Sequence, residues 1–161
     1  MAAQVADVAG GYDWKESRDK VMAQADSGDL KGALAGAQEI IGHNFADPEG
    51  HMLAAIVYRK LDQTEDMTRE RAVVDHIVES IRDSGDGKSK ETAYFTVSVP
   101  EEYFFLRVVM GATPKSQALV NDHGHAYDQM TVTTRAGKEV TVWFLTDLDL
   151  KKNGEADSER R

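Results

Sequence analysis

Gly85-Asp86-Gly87-Lys88-Ser89 ends in the Gly-Lys-Ser with which a phosphate-binding loop sets backbone amides and a lysine ammonium around phosphate oxygens. Two features turn that reading away. Arg82 occupies the place of the opening glycine, and the stretch runs from a helical pattern into an alternating one, whereas a phosphate loop runs from strand to helix. A helix–loop–helix calcium site fails as well, because Gly85 stands where an oxygen ligand belongs. The stretch reads as a helix-terminating turn.

Asp122, His123, His125 and Asp128 are the closest grouping of metal-ligand types, and imidazole with carboxylate suits zinc or a similar ion. Asx residues and glycine also build solvated hairpin tips, and neither histidine has an identifiable third partner, so no metal is expected. Glu101 and Glu102 are adjacent carboxylates of the kind that divide acid and base roles. Neighbours on a helix diverge by about 100°, so they cannot converge on one bond, and helix-start acids is the better reading. No serine has a Gly-x-Ser-x-Gly context. No catalytic residue and no cofactor are expected.

The elements that would position these groups fall into two halves. Trp14, Val21, Met22 and Ala25 share a helical face that ends at Ser27-Gly28-Asp29, a stop and a start signal back to back. Leu30, Ala33, Leu34, Ala37, Ile40 and Ile41 form a second stripe, to about His43. Asp47-Pro48-Glu49 opens a third helix carrying Leu53, Ile56, Val57 and Leu61. A fourth, roughly 66–82, shows Met67, Val74, Ile77, Val78 and Ile81 on one side. These helices make two hairpins, and Gly28-Asp29-Leu30-Lys31-Gly32-Ala33-Leu34 resembles the turn of a tetratricopeptide repeat.

From Glu91 to Val99 the side chains alternate, with Ala93, Phe95, Val97 and Val99 on one side and Thr92, Tyr94, Thr96 and Ser98 on the other, as in a half-buried strand. Pro100-Glu101-Glu102 starts a short buried helix that Gly111 and Pro114 stop. Residues 116–120 read as a short strand, and 127–135 with 138–145 as a hairpin closed by the two-residue loop Ala136-Gly137. Residues 1–11 read as a loose arm and 149–161 as a disordered charged tail. The expected organisation is therefore an arm, helices over 12–83, a β region over 84–148 and a tail.

The length suits one domain with a real core. Acids exceed bases by 28 to 19, giving a net charge of −9 that argues against nucleic acid. The excess is uneven: residues 1–83 carry 16 acids against 9 bases, residues 84–161 carry 12 against 10. Without cysteine there are no disulfides and no thiol chemistry. No apolar run reaches the about 20 residues of a membrane helix and no signal peptide is visible, so a cytoplasmic location is the default. A mature exported protein recloned without its leader is the alternative.

The succession Ser84-Gly85-Asp86-Gly87, the alternating strand, Glu101-Glu102-Tyr103, Gln117-Ala118-Leu119, Tyr127-Asp128 and Val142-Trp143-Phe144 resembles a bacterial family catalogued as a domain of unknown function. Many relatives in that family are exported or lipid-anchored. Its closing strand often ends in Asn, where this chain has Leu145-Thr146-Asp147. The resemblance implies a domain type and no activity. Tyr103 and Tyr127 can bury their rings while their hydroxyls meet Asp86, Asp128 or Gln117, which makes a polar joint or the lining of a cleft. Asp86, Glu102, Tyr103, Gln117, Tyr127 and Asp128 are thus the candidate binding residues.

The expected fold is α+β: N-terminal helical hairpins, then an antiparallel sheet of about four strands with one short helix inserted after the first. The expected function is non-enzymatic binding of another protein, as an accessory or immunity-type module. The alternatives are an enzyme or small-ligand binder using a cleft, and a structural subunit.

Overall fold

Three aspartates start the first three helices by accepting orphan amide hydrogens at the helix beginning. The computed structural model describes residues 13–147. In it Asp13 accepts from Glu16 N–H ahead of α1 (Trp14–Ser27), Asp29 from Gly32 N–H ahead of α2 (Leu30–His43), and Asp47 from Glu49 and Gly50 N–H ahead of α3 (Pro48–Lys60). Gly28, at φ 88°, ends α1 in the left-handed conformation. α4 (Thr64–Ser84) follows after a short turn.

The described residues divide into two compact units, 13–79 and 80–147. The core of the helical unit is built by α1, α2 and α3: Val21, Ala25, Ala33, Ala37, Ile40, Leu53, Ala54 and Val57 are all buried. Its small residues let the helices approach closely. Met22, expected on the packed face, is exposed, as is Leu61, which caps α3. His51 is buried within this unit, its ring nitrogens 2.6 Å from the Glu70 carboxylate and 2.9 Å from the Phe45 carbonyl.

The second unit is a four-stranded sheet with one covering helix. Its strands are β1 (Tyr94–Phe95), β2 (Thr113–Asp122), β3 (His125–Thr133) and β4 (Glu139–Leu145), in the order β1-β4-β3-β2. β2, β3 and β4 are antiparallel, as expected, but β1 runs parallel to β4, so the sheet is mixed. α5 (Val99–Phe104) continues into a π-helical turn, Phe105–Val109, between β1 and β2. Phe104, Phe105, Leu106, Met130, Val132, Val142 and Phe144 are buried. The Tyr94 ring lies 4.8 Å from Phe105 and 5.8 Å from Phe144.

The strand expected over 91–99 shrinks to two residues. The Thr92 carbonyl is occupied by the amides of Asp86 and Gly87, and α5 begins at Val99, so only the stretch between them can pair with β4. Its buried side is also the unexpected one: Thr96 is buried and Tyr94 packs on aromatics, while Phe95 is exposed. β2 is longer than expected because pairing with β3 continues through a bulge at Pro114/Ser116. The turn between β3 and β4 is one residue longer than the Ala136-Gly137 loop. Thr134 N–H still bonds the Lys138 carbonyl, leaving Arg135-Ala136-Gly137 as the loop, with Gly137 at φ 75°.

The arm and tail expected at 1–11 and 149–161 lie outside the described residues. Among the described residues no helix is long and apolar enough to cross a membrane.

Candidate functional site

β3 alternates strictly, so Ala126, Asp128, Met130 and Val132 point into the core of the second unit and their neighbours point out. Asp128 is thereby a carboxyl among apolar side chains, which requires polar partners. It finds two. Gln117, on the same face of β2, and Glu102, from the first turn of α5, both hydrogen-bond its side chain.

Glu102 is fully buried, and its other neighbour is the Thr96 hydroxyl, which donates to Oε1 at 3.2 Å. The Tyr103 hydroxyl donates to Gln117 Oε1 at 3.0 Å. The result is a continuous chain, Tyr103–Gln117–Asp128–Glu102–Thr96, that ties α5 and the segment after β1 to β2 and β3. Ionised carboxylates only accept, so two carboxyl groups in hydrogen-bond contact hold a proton between them.

The electrostatics follow from that burial. Loss of water pushes the Asp128 carboxyl above the ordinary carboxylate range, against the opposing hydrogen bonds from Gln117 and Glu102. Burial, then the nearby Glu102 and Asp128, pushes the Tyr103 hydroxyl up to about 12. Glu101 is buried too, and its carboxylate accepts Val97 N–H at 2.8 Å, bracing the segment before α5. Both glutamates occupy the first turn, as the acid-rich start predicted, but both also face inward. Their partners come from distant strands and loops, which local spacing does not show.

Two of the candidate residues lie elsewhere. Asp86 belongs to the turn after α4, where its carboxylate accepts Lys88 N–H at 3.1 Å, the Lys88 ammonium at 2.7 Å and the Thr92 hydroxyl at 2.7 Å. The Lys88 ammonium, then the Thr92 hydroxyl, holds it down at about 2. The flanking glycines are required by close approach: a Cβ on Gly85 would meet the Thr92 carbonyl oxygen at 2.4 Å, and one on Gly87 the Tyr94 ring at 2.4 Å. Gly-Asp-Gly-Lys-Ser is therefore a filled turn.

Tyr127 is on the outer face of the sheet, opposite in direction to Asp128, with its ring 6.4 Å from His125 and 6.5 Å from Trp143. The expected meeting of the Tyr127 hydroxyl with Asp86, Asp128 or Gln117 is not found among the described residues. The histidines of the β2–β3 turn separate in the same way. His123 pairs with Asp122 at 2.8 Å, His125 with Asp147 at 2.5 Å, and Asp128 is on the other face. Asp122 also pairs with Lys90. Among the described residues no group of three or more His, Asp or Glu could hold a metal ion.

The ordered pieces that ran from Ser84 to Phe144 thus belong to one unit, with its turn, its buried acid pair and its closing strand. A model of the family described as domain of unknown function DUF4919 matches residues 12–153. The chain belongs to that family. The match takes in all four described helices before the sheet as well as the sheet itself, so the family's domain comprises both units. No curated protein and no solved structure matches the chain.

Sequence reasoning missed Thr96 and the His125–Asp147 pair. Thr96 sat among residues assigned to a strand face, with nothing local to mark it as buried. Asp147 was visible: one oxygen accepts Ala126 N–H at 2.7 Å, and its place beyond the end of β4 puts it across from the start of β3.

Proposed function

We propose that this protein is a non-enzymatic binding module that takes an extended segment of a partner protein along the free edge of β2. The observation that carries this reading is the exposure of that strand. β2 is the outermost strand of the sheet, ten residues long, and none of its residues is buried. Leu119, at its centre, is 54% exposed. An unpaired edge of this length presents backbone donors and acceptors to which a strand can add, with alternate side chains supplying selectivity.

Pro114, Lys115 and the adjacent bulge guard one end, which leaves Ser116–Asn121 as the open run. The chain's net charge of −9 favours a basic segment. A module that works this way acts by occupying its partner, the behaviour of an accessory or immunity-type protein. The joint of Tyr103, Gln117, Asp128 and Glu102 would then serve to hold the edge strand in place, since Gln117 belongs to β2.

The test uses a phage-displayed random peptide library panned on the immobilised protein, followed by fluorescence polarisation of the selected peptides. Successive amides of a strand point to opposite sides, so of A118P and L119P one removes a bond to β3 and the other removes only an edge donor. The expected result is that selected peptides are basic and extended, and that the substitution leaving the melting temperature intact abolishes their binding. Selected peptides that bind that variant as well as the parent would overturn the reading.

A further inference from the structure

His51 of α3 is 2% exposed, and both of its ring nitrogens face acceptors. Nδ1 is 2.6 Å from the Glu70 carboxylate of α4, and Nε2 is 2.9 Å from the Phe45 carbonyl in the turn between α2 and α3. A neutral imidazole has a single N–H, whereas an ionised carboxylate and a carbonyl only accept. Both contacts therefore stand together only when the His51–Glu70 pair holds one proton more than a neutral ring beside a carboxylate. Without that proton an acceptor meets a ring lone pair away from water.

The pair joins α3 to a helix with few other holds on this unit. No residue of α4 belongs to the core that α1, α2 and α3 share, and in the helical unit Val74 is the one buried apolar side chain that α4 supplies among the described residues. His51 is one turn from Ala55 on α3, and Met67, Glu70 and Val74 follow i, i+3, i+7 on α4. The contact thus borders a groove of about 320 Å³ lined by Met52, Ala55, Ile56, Met67 and Val74. An open groove is packing that the two helices do not make, so the His51–Glu70 contact carries more of their attachment.

The charges around the ring come from several elements. Glu70 is on α4, and Asp47, at the head of α3, is the other carboxylate whose charge bears on the ring. Glu49 lies beyond Asp47 and faces Arg18 of α1 at 3.9 Å. His43, in the last turn of α2, is exposed. The Phe45 ring stands at 82° to the imidazole with 5.2 Å between centres, and is itself 71% exposed.

We propose that the His51–Glu70 contact is a proton-operated latch that holds α4 against α3, closed at acidic pH and released as rising pH removes the shared proton. Imidazole is the side chain suited to that exchange in the physiological range. Release loosens the first turns of α4 and opens the groove walls formed by Met52, Ile56 and Met67. This goes beyond the edge-strand reading and does not depend on it.

The test is hydrogen exchange of the full chain read by mass spectrometry between pH 5.5 and 8, corrected for the intrinsic pH dependence of amide exchange, with the amides of α2 as internal reference. Protection of amides in 67–75, relative to α2, should fall by about tenfold or more across that range in the parent. In E70Q the carboxamide donates to Nδ1 while a neutral ring donates to the Phe45 carbonyl, so relative protection should change by less than about twofold. E70A offers Nδ1 no partner, and its 67–75 amides should be as weakly protected at pH 5.5 as the parent's are at pH 8. The Glu70 side chain is 18% exposed, and circular dichroism checks the fold of each variant. Asp47 is common to all three proteins, so its own titration drops out of the comparison. Equal pH dependence in the parent and E70Q overturns the proposal. So does protection of 67–75 in E70A that equals the parent's at pH 5.5.

Discussion

The Gln117 side chain joins Tyr103 to Asp128: its oxygen accepts the tyrosine hydroxyl at 3.0 Å and its amide group hydrogen-bonds the carboxyl. The two roles use opposite ends of one carboxamide, so its orientation is fixed by its neighbours. Through it an edge strand that has little side-chain burial is anchored to α5 and to the core-facing side of β3.

Replacing Asp128 separates the proton-sharing pair by its chemistry. Its folded-state pKa is raised, so the stability it contributes is fully present below its unfolded value near 3.8 and is lost as pH rises through the folded pKa. Asn keeps a donor and an acceptor and takes no part in that titration. D128N should therefore gain melting temperature relative to the parent as pH rises from 4 toward 8. D128A strands buried Glu102 without that partner and should cost about 1–3 kcal/mol in urea denaturation.

Tyr103 should ionise late. With its hydroxyl pushed from 10.0 up to about 12, the stability it contributes holds below about pH 10 and falls away between 10 and 12. Ultraviolet tyrosinate absorbance of the folded protein should show a late component that Y103F removes. A titration in which every tyrosine ionises near 10, in protein still folded by circular dichroism, would contradict the buried network.

Asp47 carries a conflict of its own. Burial raises its pKa from 3.8 to about 6, although the amides of Glu49 and Gly50 pull the other way. The linked stability is full below about pH 4 and declines as pH rises to about 6, by at most about 3 kcal/mol at about 1.4 kcal/mol per unit. D47N retains a good cap and should match or exceed the parent at pH 7. D47A loses the cap and should fall by about 1 kcal/mol. Melting curves at pH 4 and 7 give both comparisons.

The glycines of the turns should differ in what alanine costs. Gly124 has φ 85° with open space around it, so G124A meets only the left-handed penalty of about 1–2 kcal/mol. Gly87 has φ 67° and the Tyr94 ring in the way, so G87A should cost clearly more in the same denaturation series. Equal costs would mean that Tyr94 moves aside without loss.

What could be read in the sequence was what local chemistry decides. Asp13, Asp29 and Asp47 cap helices by reaching their own next amides, and the spacing of Val21 and Ala25 or Ala33, Ala37 and Ile40 follows from one helix alone. The period-two rule, applied to Tyr127 and Asp128, separates them; treating both as cleft residues set that rule aside. Other features depend on partners that spacing does not name. The burial of Glu102 rests on Thr96 and Asp128, and the shortness of β1 rests on the turn that takes up the Thr92 carbonyl. The direction of β1 is settled by β4, which comes last in the chain.

That strand order has a consequence for how the chain comes to its shape. Among the described residues Tyr94 and Phe95 find their strand partners in Phe144 and Leu145 alone, and β4 lies between β1 and β3 in the sheet. On a ribosome the helical unit has its contacts in hand early, because α1, α2 and α3 are neighbours in sequence. The sheet must wait for its inner strand, and until β4 emerges the segment after Gly87 has nothing to pair with. A nascent chain stopped before Glu139 should therefore hold folded helices and an aggregation-prone, unclosed second half.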